Sequence, residues 1–85
     1  MSERKQIRVQ LDYPLEHVRD PIIYHLVTDY RLVPNIRRAN IDVHTGGMLV
    51  LEIVGEEEDL EGGIEYLRSL DITVTEIGTE QPWTV

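Results

Sequence analysis

Residues 33–55, VPNIRRANIDVHTGGMLVLEIVG, decide the fold. Their second half, Met48 to Val54, is a strand of nearly continuous apolar character broken only by Glu52, with Leu49, Leu51 and Ile53 on the face that turns inward. The first half opens polar and basic, at Asn35, Arg37 and Arg38. It then alternates, Ala39, Ile41 and Val43 being separated by Asn40, Asp42 and His44. A mixed strand of this kind suits a sheet edge. Between the halves, Thr45-Gly46-Gly47 tolerates positive φ, so the two strands read as a hairpin whose apolar member is central.

Working outward toward the N-terminus, Gln6 to Asp12 alternates with Ile7, Val9 and Leu11 on one face, and Tyr13-Pro14 ends that strand. Asp20 as a cap and Pro21 at the first helical position predict a helix, with Ile22, Ile23, Leu26, Val27 and Tyr30 on its packed face. On the other side of the hairpin, Glu56 to Asp59 place acids at the positive end of a second helix. Leu60, Ile64, Leu67 and Leu70 follow at helical spacing. Gly62 and Gly63 each cost that helix about 1 kcal/mol relative to Ala, which predicts a close approach to a strand. Ile72 to Ile77 alternates as the last strand.

Strand, helix, hairpin, helix, strand is the split βαβ arrangement. Two right-handed crossovers give an α+β, ferredoxin-like βαββαβ fold: a four-stranded antiparallel sheet in the order 4-1-3-2 with both helices on one face. The expected domain is residues 1–78. The expected irregular tail is residues 79–85, which hold Pro82 and the one tryptophan, Trp83.

The 85 residues leave room for one small core, and with no Phe that core must be built from Ile, Val and Leu. A formal net charge of −8 repels phosphate backbones and anionic membrane faces, so nucleic acid is not an expected partner. The absence of Cys removes disulfides, thiolate metal sites and a cysteine nucleophile. No apolar run approaches a signal or membrane-spanning segment, so neither membrane insertion nor export is expected, and a cytoplasmic protein is.

Chemistry is not written into the chain. The open sheet face carries Arg8, Gln10, Val50 and Glu52 rather than the stacking aromatics of an RNA-binding sheet. The loop from Tyr13 to Arg19 has no glycine to cradle a phosphate and carries a repelling Glu16. His17, His25 and His44 fall on different elements without metal-ligand spacing. Asp42 and His44 share a strand face in the manner of a solvated edge pair. The acids from Glu56 to Glu65 lack the alternating ligands of a calcium loop. No catalytic, metal or cofactor site is therefore expected, and a non-enzymatic binding protein is the expectation.

Val33-Pro34-Asn35-Ile36, the polar strand after it, the Gly-containing turn and the apolar strand ending at Gly55 together resemble the NIL domain family, named for an Asn-Ile-Leu motif at this point. The likeness runs from the first strand to about Gly78. Asn35 and Ile36 match the motif, Arg37 stands where the family has Leu, and Gly46-Gly47 stand where Phe-Gly is common. NIL domains occur at the C-terminus of methionine-importer ATPase subunits, attached to ferredoxin-type modules, or alone. The resemblance implies a dimeric ligand-sensing or regulatory domain whose transporter or ferredoxin partner would be a separate polypeptide. Asn35 offers two donors and an acceptor for the carboxylate and ammonium of a small amino acid such as methionine. Ile36, Met48 and Leu49 complete the expected ligand-binding set. The rival expectation is a protein-interaction module without a small ligand, docking a redox or transporter partner through its acidic helix, its open sheet face or the Trp83 tail.

Overall fold

The computed structural model describes residues 4–18 and 20–78. Strand β1 (Arg4–Tyr13) leads through a single 3-10 turn (Leu15–His17) to helix α1 (Ile22–Thr28). Strands β2 (Val33–Asp42) and β3 (Gly46–Glu56), helix α2 (Glu57–Ser69) and strand β4 (Thr73–Ile77) follow. The sheet is antiparallel throughout in the order β2-β3-β1-β4, which is 4-1-3-2 read from the other edge. The architecture is the expected α+β ferredoxin-like one. The expected tail, with Trp83, lies outside the described residues.

Alternation sorts the sheet into two faces. Val9 and Leu11 of β1 and Leu49, Leu51 and Ile53 of β3 are buried against Ile22 and Leu26 of α1 and Leu60 and Leu67 of α2, so both helices cover this one face. Each such side chain contributes about 1.5–3 kcal/mol on leaving water, and the core is aliphatic apart from Tyr13. On the other face the strands align in rows: Asn40, Met48, Asp12 and Thr73; Arg38, Val50, Gln10 and Thr75; Asn35, Glu52, Arg8 and Ile77. Arg8 Nε stands 3.7 Å from Glu52 Oε2, and Gln6 Nε2 donates to the same carboxylate oxygen at 2.7 Å.

The change of pattern within β2 has a structural cause. Ile36 lies opposite Leu51 and Arg38 opposite Val50, so Arg37 is inserted as a β-bulge. The inserted residue resets the phase of the strand, which keeps Arg38 on the polar face while Ala39 and Ile41 fall on the helix side with Leu49 and Gly47.

Leu32 belongs to no regular element yet is a core residue, and two glycines make room for it. A Cβ on Gly55 would lie 2.5 Å from Leu32 Cδ2, and one on Gly63 would lie 2.6 Å from Leu32 Cδ1. The close approach expected of the paired glycines of α2 is made not to a strand but, at Gly63, to Leu32 and to Leu26 of α1, while Gly62 faces the Tyr30 ring. At the hairpin, Gly46 adopts φ 114°, and the ring of Tyr13 covers Gly47, its cross-strand neighbour.

Several local expectations shift. Helix α1 begins at Ile22, with Pro21 before it rather than in its first turn, and no side chain caps it. The Asp20 carboxylate meets the His17 ring instead. Val27, expected on the packed face, is 46% exposed, and Tyr30 lies beyond the helix end, because α1 is only seven residues long. Strand β2 stops at Asp42, so His44 sits in the turn and shares no strand face with Asp42. The His44 N–H donates to Asp42 Oδ1 at 2.7 Å and shapes that turn.

Candidate functional site

Strand β2 positions the first two expected ligand residues. Asn35 is exposed on the open face opposite Glu52, whereas Ile36 points to the helix side and is 46% exposed, because the helices leave this edge bare. Met48 of β3 lies on the open face opposite Asn40. Leu49, its neighbour, faces the helices and is 4% exposed within the core. Asn35 and Met48 therefore share a face. They stand two rows apart on it, with the row of Arg38 and Val50 between them, about 13 Å along the strand at 3.3 Å per residue. Ile36 and Leu49 share the opposite face.

Edge strand β2 is exposed along almost its whole length. Val33 is 54% exposed and Ile41 50%, and on its outer side no strand neighbour is present among the described residues. An edge of this length with half-exposed aliphatic side chains is a template for pairing with another strand.

Of the open clefts that the described residues form beside the sheet, two bear on the site. The smaller, about 350 Å³, is at the hairpin end and is lined by Asp12, Asn40, Asp42, Thr45 and Met48 among others. The larger, about 1010 Å³, runs between α2 and β4. Ile7, Leu60, Ile64 and Val74 form its floor. Glu57, Glu61 and Glu65, spaced four residues apart along α2, stand on its rim. In sequence this acid run reads as the charge complement of the positive end of α2. The four-residue spacing was the available signal that three of its members share one side of the helix.

Titratable side chains gather where the helices meet. The His17 and His25 rings bond Asp20 at 2.6 Å and Asp29 at 2.8 Å. Tyr66 stacks on Tyr30 with ring centroids 5.4 Å apart and meets His25 edge-on at 5.9 Å. Its hydroxyl is held above the ordinary tyrosine pKa, first by burial and then by the negative charge of Asp20, by Tyr30 and by the charge of Asp29. Burial alone pushes Tyr13 in the same direction. Among the described residues no group of three or more His, Asp or Glu side chains is placed to hold a metal ion. Among the same residues no helix is long and apolar enough to cross a membrane.

Comparison with known proteins agrees with this geometry. The NIL domain model matches residues 7–76. The chain is 33% identical over 75 residues to the methionine import ATP-binding protein MetN 2 of Enterococcus faecalis, covering 85% of this chain and 22% of that protein. It is 32% identical over 73 residues to MetN of Vibrio vulnificus, covering 82% of this chain and 21% of that protein. An uncharacterised protein of Synechocystis, ssr2439, is 27% identical over 70 residues, which are 81% of this chain and 72% of the relative. The chain thus spans about a fifth of the length of the importer subunits it matches. Among solved structures, the C-terminal domain of an ABC transporter ATP-binding protein from Enterococcus faecalis superposes with a TM-score of 0.73 at 32% identity, over 86% of this chain and 84% of that one. With the family pattern running through all four strands and both helices, the chain belongs to the NIL domain family.

Proposed function

We propose that this chain is a non-enzymatic, cytoplasmic regulatory domain that forms a homodimer through β2 and senses a small amino acid such as methionine. The observation that carries the reading is the ten-residue edge strand, without a strand neighbour on its outer side among the described residues, with Asn35 and Ile36 in its first half. Antiparallel pairing of two β2 strands satisfies both rows of edge N–H and C=O groups and covers Val33, Ile36 and Ile41. A register that sets Asn35 opposite the partner's Asn40 brings the partner's Met48 one strand further on. Asn35 then takes the carboxylate and ammonium of the ligand and the partner's Met48 contacts its side chain on the open face, while Ile36 packs across the seam on the helix side, above Leu49, and holds the pair of strands in register. The methionine importer subunits among the relatives suggest both the ligand and the kind of partner, a transporter, with a ferredoxin-type protein as the other candidate.

Titration calorimetry of the purified chain against the common amino acids, beside an Asn35→Ala variant, tests the ligand. Saturable binding of methionine or a close apolar relative, lost in the variant, is the expected outcome, and silence across the panel would overturn it. Sedimentation velocity at tens of micromolar tests the dimer independently. A persistent monomer there would remove that part of the reading.

A further inference from the structure

We propose that the cleft between α2 and β4 is a docking groove for a basic amphipathic helix of a partner protein. The groove has the two parts such a partner needs. Its floor is apolar, built from Ile7 of β1, Leu60 and Ile64 of α2 and Val74 of β4. Its rim is acidic: Glu57, Glu61 and Glu65 rise at every fourth residue of α2, and Glu76 stands across from them on β4.

The rim's two cations, Lys5 and Arg68, leave it with an excess of negative charge. Lys5 is already engaged, its Nζ 3.1 Å from Glu57 Oε1. Glu61, Glu65 and Glu76 take part in no ion pair among the described residues. At about 1010 Å³ the cleft is at or beyond the upper end of the range for small-molecule pockets, and it is open, so it suits a length of chain rather than an enclosed ligand.

Charge also selects among macromolecular occupants. A second copy of this chain carries a net charge of −8 and would bring acid to acid at this rim. A strand added to the edge of β4 would lie in the plane of the sheet and miss the glutamates, which stand in the helix layer. A helix laid beside α2 meets both parts. Basic residues four apart on it rise about 6 Å, the same step as the glutamates, and its apolar stripe lies on Ile64 and Val74.

The inference is independent of the amino-acid reading, since none of Asn35, Ile36, Met48 and Leu49 lines this cleft. Its test uses the full chain, isotope-labelled, and a fluorescent synthetic peptide about four helical turns long, the length of α2, with leucine at core spacing and lysine elsewhere. A control peptide carries glutamate in place of every lysine. Saturable binding of the lysine peptide alone is expected, with amide shift changes centred on Ile7, Ile64 and Val74. Glu61→Lys, exposed on the rim, should weaken binding about tenfold, whereas Glu58→Lys, the same charge change outside the cleft, should leave it within about twofold. Five results would overturn the proposal. They are equal weakening by the two reversals, binding of the glutamate peptide, shifts centred on β2, shifts in the cleft on dilution without peptide (a second copy), and shifts there on adding methionine (a small-ligand site).

Discussion

Leu32 shows how much a single side chain can ask of its neighbours. It is pinned between Gly55 and Gly63, so neither glycine can gain a methyl group without pushing a buried leucine that has no free side to move to. Gly62, one residue away, faces the Tyr30 ring, where a Cβ would stand at 3.3 Å from an edge that can give. Opposite outcomes are therefore expected in urea unfolding. Gly62→Ala should stabilise by up to about 1 kcal/mol through helix propensity. Gly63→Ala should lose about 1–2 kcal/mol, because overpacking outweighs the same gain. Tyr66 supplies the residue-scale pH dependence. Its pKa in the folded protein is raised above 10.0, so the neutral form is favoured by folding. The stability this represents is complete below pH 10.0 and is lost as pH rises through the folded value. Tyr66→Phe should flatten the alkaline fall in stability, followed by chemical denaturation at stepped pH, and leave the fall due to Tyr13 in place.

At the scale of elements, α2 ends without a glycine. Asp71 takes the left-handed conformation at φ 62°. The Asp71 N–H reaches Arg68 O at 3.0 Å and the Ile72 N–H reaches Leu67 O at 3.2 Å, the pair of bonds that closes a Schellman motif. Buried Ile72 and Leu67 make its apolar contact. The left-handed region costs a non-glycine residue about 1–2 kcal/mol, so Asp71→Gly should stabilise by about 0.5–1 kcal/mol after its entropic loss, read as a shift in the unfolding midpoint at constant slope. Arg31, at φ 57° just after α1, sits in the same way before buried Leu32. Neither helix end was legible from sequence, because the usual signal is Gly and here Arg and Asp do its work. The β2 bulge was half legible: the change from polar opening to alternation is visible in residues 33–43, but only pairing with β3 shows that Arg37 is the inserted residue.

Across the whole molecule the charge of −8 is spread over a small surface and opposes compaction. Raising salt from about 0.01 M to about 1 M shortens the Debye length from about 30 Å to about 3 Å, and the melting temperature should rise with it. A fall would mean that ion pairs such as Lys5–Glu57 outweigh the net repulsion. The strand order, the central position of β3 and the separation of a polar from a helix-covered face were all readable, since period-two alternation and connection length constrain a small sheet tightly. Candidate sites were less readable. Asn35, Ile36, Met48 and Leu49 are near one another in the hairpin sequence, yet pleating sends them alternately to two faces.

By itself the sequence determined the βαββαβ order, the inward set Val9, Leu11, Leu49, Leu51 and Ile53, and the acidic, cysteine-free character of the chain, because these follow from local periodicity and composition. Only the tertiary structure decided that Leu32 is a core residue, that three glutamates of an acid run rim an apolar groove, and that among the described residues no strand pairs with the outer side of β2. Those features depend on which surfaces meet across the fold, and contacts between residues far apart in the chain leave no period for a sequence reading to find.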